Sequence, residues 1–388
     1  MDFRFTAEHD ALRRDVREFL AGALPAEVAS SRPTSQDHWE AQLTFLKRLA
    51  ERGWVAPAWP VAYGGLGMRH VNQMIFSEEL AYAGAPDAGR VFSVGMIGPT
   101  LIVHGTEEQR REHLGRITSG DAIWCQGYSE PGAGSDLASL QTRAARDGDE
   151  YVINGQKIWT TGAHHADWCF MVVRTDPDRP KHRGISFLLV DMKTPGITVR
   201  PIVNMAGHHE FNEVFFEDVH VPVANRVGEE NNGWYVAMTL LDFERSNVAS
   251  IAANQRLLEQ LGAYLRERPA TLAPRDILRH RLADLWIAND IGRLLSYRIA
   301  WMQESGRLVN VEASVIKVFA TELAQRIANC GVNLQGAGGG LMPGSARAAL
   351  GGMLADDHLS NVSPTIYSGS SEIQRNIIAT RGLGLPRD

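Results

Sequence analysis

Two neighbouring stretches decide the fold of this chain: Tyr128-Ser-Glu-Pro-Gly-Ala-Gly-Ser-Asp136 and Val152-Ile-Asn-Gly-Gln-Lys-Ile-Trp-Thr-Thr-Gly162. The glycines of the first stretch allow a tight turn and a close approach of backbone to ligand. Serine and threonine hydroxyl groups in both stretches are small donors around one planar aromatic residue, Trp159. Such a surface suits a flat cofactor that carries phosphates.

These glycines do not have the sequence context of a dinucleotide-binding fold. In that fold a glycine-rich loop follows a strand and opens a helix. Here the glycines lead into Leu140-Gln-Thr-Arg-Ala-Ala and then into Asp147-Gly-Asp, a turn typical of a β-hairpin. The sequence therefore argues against a Rossmann fold.

Together the two stretches closely resemble the flavin-binding segment of the acyl-CoA dehydrogenase family, and the resemblance extends from the first helix to Arg381. It implies an FAD cofactor and a substrate contact at Ser135. The residues that it places against FAD within one subunit are Gln126, Tyr128, Ser129, Gly134, Ser135, Trp159, Thr160 and Thr161.

Composition narrows the class of protein. A chain of 388 residues suggests two or three domains, and 39 basic against 45 acidic residues leave no electrostatic footprint for nucleic acid or an anionic membrane. The three cysteines are far apart in sequence and are expected to be small buried residues in a reducing compartment. No apolar run reaches the ~20 residues of a membrane span and no basic leader is visible, so we expect a soluble, cytoplasmic protein.

Hydrophobic periodicity predicts an α+β multidomain fold in three parts. Residues 1–120 have helical spacing and are expected to form an N-terminal α-helical domain. Residues 121–232 contain short β-type runs bounded by turns and are expected to form a middle β-barrel domain. Residues 233–388 are expected to form a C-terminal four-helix bundle, with helices at about 234–268, 275–304, 310–333 and 371–381. This order matches the acyl-CoA dehydrogenase fold.

The predicted strands are short apolar runs separated by turn residues. They are Tyr151–Ile153, Trp168–Arg174, Ile185–Val190, Ile197–Arg200 and Glu213–Phe216.

The resemblance implies α,β-desaturation of an acyl-CoA thioester, in which a base removes the α-proton while hydride leaves the β-carbon for the flavin. Such chemistry needs a carboxylate in a dry pocket and hydrogen bonds that polarise the thioester carbonyl. Much of the family carries the base directly before the glycine of a segment that corresponds here to Tyr367-Ser368-Gly369-Ser370. Serine is a poor base, so Ser368 is not expected to remove the proton. The family donates a main-chain hydrogen bond to the thioester carbonyl from this position, so the resemblance implies that Ser368 and Gly369 bind the substrate, with the main-chain N–H of Ser368 as the donor.

A second arrangement, which resembles isovaleryl-CoA dehydrogenase, carries the base on the first helix of the C-terminal domain. Glu244 stands at that place, and on a continuous helix positions 237, 241, 244, 248 and 251 would share one face that is otherwise apolar. The alternative is an ordinary helix glutamate paired with Arg245, but adjacent helix residues point about 100° apart and pair poorly. We therefore expect Glu244 to be the catalytic base.

Nearby residues receive supporting roles from the same resemblance. Arg245 is expected to bind the coenzyme A portion of the substrate, with Asp242 at the same entrance to the substrate pocket. The alternative is that Arg245 is an ordinary helix arginine exposed to solvent. Glu372 is a rival base, but with Ser370 it falls where the family places flavin contacts near the start of the last helix.

The family completes its flavin site across a dimer. The segment Gln335-Gly-Ala-Gly338-Gly339 corresponds to one contact of the neighbouring subunit, although glycines also end helices for steric reasons. A second segment, Arg-x-x-Phe-Gly, is missing, and Arg266-Glu-Arg-Pro-Ala-Thr-Leu-Ala-Pro274 stands in its place. This resembles bacterial acyl-CoA dehydrogenases for bulky or branched acyl groups, some of which are mixed tetramers, so we expect a dimer or a homo- or hetero-tetramer.

The adjacent histidines at 164–165 and 208–209 are expected to be ordinary loop or surface residues, because no cysteine or carboxylate stands nearby at metal-ligand spacing. We expect no metal site.

The leading hypothesis is an FAD-dependent acyl-CoA dehydrogenase that passes electrons to an electron-transfer flavoprotein. Two alternatives remain open: a flavin oxidase or monooxygenase on the same fold, and a subunit that needs a partner chain to complete the flavin site.

Overall fold

The computed structural model describes residues 4–29, 38–239, 246–267 and 275–386. Over these residues the chain forms two compact units. A helical unit contains the described residues of 4–22, 69–85 and 246–386, and a mixed unit contains those of 23–68 and 86–239. Helices from the first 120 residues therefore occur in both units.

The helices lie on either side of the strands in sequence. Those of the described residues are α1 (Ala7–Ala23), α2 (Ala26–Ala29), α3 (Trp39–Glu51), α4 (His70–Ala83), α5 (Arg90–Phe92), α6 (Gly98–His104), α7 (Glu107–Thr118), α8 (Gly233–Thr239), α9 (Val248–Glu267), α10 (Arg275–Glu304), α11 (Asn310–Leu334), α12 (Met353–Ser360) and α13 (Ser371–Ile377). Two further segments, Ser93–Ile97 and Ile378–Gly382, are π-helical. Within the described ranges, none of the helices combines the length and the apolar character that a membrane span requires.

The strands form one sheet in the mixed unit: β1 (Trp124–Gly127), β2 (Arg143–Asp147), β3 (Glu150–Lys157), β4 (Trp168–Arg174), β5 (Ile185–Asp191), β6 (Ile197–Val203), β7 (His209–Pro222) and β8 (Arg226–Val227). Their order is β6-β7-β3-β2-β4-β5-β8, with β1 parallel to β4. Every predicted strand run lies inside one of β3 to β7, and the Asp147-Gly turn joins β2 to β3. The predicted α, β, α fold class is confirmed.

The central strand β4 is buried along nearly its whole length because both of its faces are covered. Phe170 and Val172 join a cluster with helix residues such as Leu101. Met171 and Val173, which alternate with them, join a second cluster formed by the strands. A strand that is covered on both faces reads as a continuous apolar run, which is why its sequence predicts it so clearly.

The helical unit has a core of its own, built mainly from α9, α10 and α11. Leu258, Leu285 and Ile316 are among its buried members. On α10, Leu278 and Leu285 are buried, whereas Ile277 is 49% exposed. Leu278 and Leu285 therefore lie on the packed face of α10, and Ile277 lies outside it.

One helix prediction is wrong. The sequence predicts a single helix over about 234–268, but Ser246 and Asn247 are not helical, and Asn247 has a φ of 52°. Asparagine tolerates this left-handed conformation, which cannot continue a right-handed helix. The argument that positions 244, 248 and 251 share one helix face therefore fails.

Candidate active site

The two stretches predicted to hold the cofactor lie side by side in the mixed unit. β1 leads into the first stretch, and β3 forms the beginning of the second. The N–H of Ile158 donates to the carbonyl oxygen of Ser129 over 2.9 Å, and this bond ties the two backbones together. The structure thus brings both stretches to one place.

The loop after β1 is a tight turn with an open face. Glu130 and Ala133 exchange two main-chain hydrogen bonds of 3.0 Å each. A Cβ added at Gly132 or Gly134 would meet no atom within 4 Å, so the backbone there borders open space. The chain then passes through a short 3₁₀ helix, Leu137–Ser139, into β2 instead of opening a long helix, which agrees with the argument against a Rossmann loop.

Trp159 projects from the second stretch in an unusual backbone conformation. Its φ is 60°, in the left-handed region that costs a residue with a side chain roughly 1–2 kcal/mol. Its side chain is 57% exposed, and the indole meets the ring of Phe211 edge to face with 6.0 Å between centroids. Strain of this kind persists where the surrounding structure enforces it, commonly at binding sites.

Polar groups of Gln126, Tyr128 and Thr160 lack an ordinary partner. The hydroxyl oxygens of Tyr128 and Thr160 are buried and have no hydrogen-bond partner among the described residues. The side-chain nitrogen of Gln126 approaches the sulfur of Met96 at 3.5 Å, which is a weak contact. Burial raises the pKa of Tyr128 and keeps its phenol protonated as a donor. Buried polar groups nearly always have partners, so these are available to a bound molecule.

The other hydroxyl groups predicted for the cofactor are accessible. Ser129 and Thr161 are partly exposed, and Ser135 is exposed on the loop after β1. An exposed indole, an open glycine turn and available hydroxyl groups fit a flat cofactor with hydrogen-bonding edges and phosphates. The residues of the mixed unit therefore fit the flavin that the sequence leads us to expect.

In the helical unit, the other predicted cofactor segment follows the end of α11. Gly336–Gly340 is a 3₁₀ helix, and the side-chain nitrogen of Gln335 is buried with no partner in the described ranges. A Cβ at Gly339 would lie 2.0 Å from the carbonyl oxygen of Val332, whereas one at Gly338 would meet nothing within 4 Å. Packing at the helix end therefore explains Gly339. The side-chain nitrogen of Gln335 and the backbone at Gly338 remain for contact with a ligand.

Ser368 and Gly369 form a turn of two successive left-handed residues, with φ values of 53° and 80°. Lys317 Nζ donates to the carbonyl oxygen of Gly369, and Gln374 Nε2 donates to that of Ser368. A substrate carbonyl accepts hydrogen bonds, so the main-chain N–H groups of Ser368 and Gly369 are what this turn offers to it.

Ser370 and Glu372 begin α13. The hydroxyl of Ser370 accepts from the N–H of Ile373 over 3.3 Å and caps the helix. The backbone N–H of Glu372 and the Ser370 hydroxyl both bond its carboxylate and lower its pKa, and the residue is exposed. An exposed carboxylate with a lowered pKa is a weak base, which argues against Glu372 in proton abstraction.

The predicted base and its neighbours lie outside the described residues. Asp242, Glu244 and Arg245 belong to the gap at residues 240–245, and residues 268–274 of the segment that replaces Arg-x-x-Phe-Gly belong to another.

Three of the four histidines form an aromatic cluster: His164 and His165 lie in the turn after Trp159, as expected of loop residues, and His209 begins β7. The ring of His164 lies 4.0 Å from that of His209 and 4.1 Å from that of His165, measured between centroids. His165 in turn stacks on Trp39 at 4.3 Å. The cluster arises because the fold brings the start of β7 and the loop after Trp159 together, which local spacing does not reveal. Over the described ranges, no group of three or more histidine, cysteine or acidic residues could hold a metal ion.

Sequence reasoning also missed the buried polar residues behind this surface. Lys157 and Asn212 are both 0% exposed. For Lys157 a signal existed, since it shares the inward alternation of Tyr151 and Ile153 along β3. Asn212 likewise shares the inward alternation of Val214 and Phe216 along β7.

Comparisons with known proteins agree with this architecture. Family models of the acyl-CoA dehydrogenase N-terminal, middle and C-terminal domains match residues 6–121, 125–219 and 231–383. The acyl-CoA dehydrogenase IpdE1 of Mycobacterium tuberculosis (strain ATCC 25618 / H37Rv) is 39% identical over 386 residues, which cover 98% of both chains.

Two solved structures are similar over 100% of both chains. The Tcur3481-Tcur3483 steroid ACAD is 35% identical with a TM-score of 0.89. The ChsE4-ChsE5 complex from Mycobacterium tuberculosis is 36% identical with a TM-score of 0.90. Since the family models and these relatives together span almost every described element, the chain belongs to the acyl-CoA dehydrogenase family of flavoprotein oxidoreductases.

Proposed function

We propose that this chain is an FAD-dependent enzyme that desaturates an acyl-CoA thioester between its α- and β-carbons. The observation that carries the proposal is the exposed, left-handed Trp159 beside an open glycine turn and available hydroxyl groups. When bound, FAD supplies the acceptor for the hydride that leaves the β-carbon. Side chains and main-chain groups of the protein remove the α-proton and bind the thioester.

We assign removal of the α-proton to Glu244. Serine stands where much of the family has its carboxylate, and Ser368 cannot hold a proton taken from carbon. Glu372 is exposed and its pKa is lowered. Glu244 stands in the segment where the second arrangement of the family carries its base, and that correspondence supports the assignment.

The substrate is proposed to bind through its thioester carbonyl and its coenzyme A portion. Main-chain N–H groups at Ser368 and Gly369 would polarise the carbonyl and stabilise the charge that develops on its oxygen. Arg245, with Asp242 and Ser135, would contact the rest of the thioester, and the guanidinium suits its phosphates.

The proposed cofactor contacts are grouped by the unit to which each residue belongs. Those of the mixed unit are Gln126, Tyr128, Ser129, Gly134, Ser135, Trp159, Thr160 and Thr161. Those of the helical unit are Gln335, Gly338, Gly339, Ser370 and Glu372.

We further propose that the active form is a dimer or tetramer, of identical or different chains, and that it reduces an electron-transfer flavoprotein. Assembly is supported by the missing Arg-x-x-Phe-Gly segment and by the description of ChsE4-ChsE5 as a complex. Because that segment is replaced in this chain, one of the expected flavin contacts would have to come from a partner chain.

The acyl group is proposed to be bulky and ring-containing. This rests on the similarity to a structure described as a steroid ACAD, with both chains fully covered. A compact ring system and a straight chain differ in many contacts, and each methylene-sized contact is worth about 1–3 kcal/mol in discrimination.

The test is anaerobic bleaching of the flavin in the purified full-length protein. Absorbance per chain first measures bound flavin. Coenzyme A esters of a steroid acid and of straight-chain acids are then added, and the product is analysed for the loss of two hydrogens. We expect bleaching by the ring-containing ester and a trans-2-enoyl product. Bound flavin that no acyl-CoA bleaches would overturn the proposal, and rapid reoxidation by air without another acceptor would identify an oxidase.

A chain that carries flavin only when a homologous partner chain is co-expressed would show that the site is shared. The bleaching experiment is then carried out on the complex, with the same two outcomes.

A further inference from the structure

We propose that Asn212 is a positioning residue for the flavin site: it holds the main chain at Thr160 and thereby keeps Trp159 in the left-handed conformation that exposes its indole. This inference rests on the proposed function, because it assumes that Trp159 faces the flavin.

Asn212 binds both main-chain polar groups of Thr160. The N–H of Thr160 donates to the main-chain carbonyl oxygen of Asn212 over 3.0 Å. The side-chain Nδ2 of Asn212 donates to the carbonyl oxygen of Thr160, also over 3.0 Å. The first bond fixes the peptide group that joins Trp159 to Thr160, and the second fixes the next one. With both peptide groups held, the backbone angles of Thr160 are fixed, and the first of the two groups also borders Trp159 and limits its ψ angle.

These bonds are shielded from water, since Asn212 is 0% exposed and Thr160 is 1% exposed. Water therefore cannot replace the amide if it is removed, and the carbonyl oxygen of Thr160 would be left without its partner. The turn would then lower its free energy by rotating that carbonyl toward solvent, where water can donate to it. Such a rotation would carry the neighbouring Trp159 away from its observed orientation.

Two histidines set the orientation of the Asn212 amide. His209 Nε2 lies 2.8 Å from Oδ1 of Asn212, and His164 Nδ1 lies 3.0 Å from Nδ2. The two hydrogens on Nδ2 then go to Thr160 and to His164, which requires a neutral His164 that accepts at Nδ1. His209 donates from Nε2. Each polar atom of the amide is satisfied in this orientation, and a flipped amide would place Oδ1 against the carbonyl oxygen of Thr160, acceptor against acceptor.

The surroundings of His164 favour the neutral ring that this arrangement needs. Burial, together with the nearby His165 and His209, lowers the pKa of His164 to about 4. Glu40 of α3 acts on His165 and opposes the lowering of its pKa. At neutral pH His164 is therefore an acceptor, and the clamp on Thr160 is complete.

The main test is Asn212→Asp in the full-length protein. A carboxylate has the shape of the amide but donates no hydrogen bond, so it loses both Nδ2 contacts and keeps the one to His209. We expect FAD to bind about tenfold more weakly at pH 8. Part of the loss should be recovered at pH 6, because the carboxylate raises the pKa of His164 and a protonated His164 donates to it.

Asn289→Asp is the matched control. Asn289 is 1% exposed and lies in α10 of the helical unit, so the substitution also buries a carboxylate. It should lower stability without changing FAD affinity or its pH dependence. Equal losses of FAD affinity in both variants would overturn the proposal.

A second measurement does not depend on flavin. The fluorine NMR signal of Trp159 in protein labelled with fluorotryptophan, assigned with Trp159→Phe, should move in Asn212→Asp and stay in place in Asn289→Asp. An unmoved signal in Asn212→Asp overturns the proposal. If the wild type binds no FAD at all, the proposed function fails, and the fluorine signal still decides the role of Asn212.

If Asn212→Asp does not fold, His164→Phe replaces it. Phenylalanine keeps a ring in the stack and removes the acceptor at Nδ1. The proposal then requires the Trp159 signal to move in the folded variant, and it is overturned if the signal does not move.

Discussion

Lys157 Nζ lies 2.7 Å from Glu130 Oε1, with the lysine side chain fully buried and the glutamate side chain 6% exposed. Nζ also donates to the carbonyl oxygen of Tyr128, and the carboxylate accepts from the N–H groups of Gln141 and Thr142. The ion pair therefore connects β3 to the loop after β1 and to the segment before β2. It holds the backbone of the proposed flavin site in place and is not part of the surface of that site.

Lys157→Met should lower the free energy of unfolding by about 3–5 kcal/mol, because it leaves a buried carboxylate without its counter-charge. Chemical denaturation measures the change. Lys181→Met is the control, since Lys181 pairs with Asp136 at 2.8 Å where both side chains are at least half exposed. Such a pair contributes less than about 1 kcal/mol. Equal losses in the two variants would contradict the account of the buried pair.

Trp159→Gly should be more stable than Trp159→Ala by about 1 kcal/mol, because only alanine keeps a Cβ in the left-handed conformation. At an ordinary helix or strand position glycine is the less stable of the two. Both variants lose the indole and should bind FAD more weakly. Denaturation of the flavin-free variants gives the comparison, and the reverse order would show that Trp159 is not strained.

Gly98→Ala should destabilise the chain by about 1–3 kcal/mol, since a Cβ there would lie 1.9 Å from the ring of Trp59. Gly95, in the adjoining π-helical segment, is the control because a Cβ there would meet nothing within 4 Å. Gly95→Ala should be neutral or slightly stabilising. Thermal unfolding distinguishes the two, and a loss of stability at Gly95 equal to that at Gly98 would refute the packing argument.

Acid should weaken the fold through His164. Its pKa is about 4 in the folded chain and 6.5 when unperturbed, so the unfolded chain binds the proton first as the pH falls. The fold therefore loses stability between pH 6.5 and about 4. His164→Gln removes the titrating ring, and urea denaturation at pH 7 and pH 5 should show a smaller loss in this variant. An identical pH dependence would mean that His164 is not held neutral.

Much of the fold could be predicted from the sequence because burial leaves a local pattern. β4 and β5 are continuous apolar runs, and the predicted bounds of α10 and α11 agree with the structure within one residue. The interruption before Val248 could not be read in this way, since a single left-handed Asn247 leaves the apolar spacing around it unchanged.

The candidate site was only partly predictable. Hydroxyl groups, glycines and Trp159 stand in two short stretches that a reader of the sequence can pair. The residues that hold them in place come from distant parts of the chain. Asn212 and His209 reach Thr160 and His164 through the pairing of β7 with β3, a long-range contact that no local spacing encodes.

The most direct test of the account is flavin bleaching by acyl-CoA in Glu244→Gln, compared with wild type and with Glu372→Gln. The amide keeps the shape of the carboxyl group but cannot take the α-proton, so Glu244→Gln should retain bound flavin and lose its bleaching by substrate. Glu372→Gln should still be bleached even where it holds FAD less tightly. Bleaching of Glu244→Gln at the wild-type rate would contradict the assignment of the base.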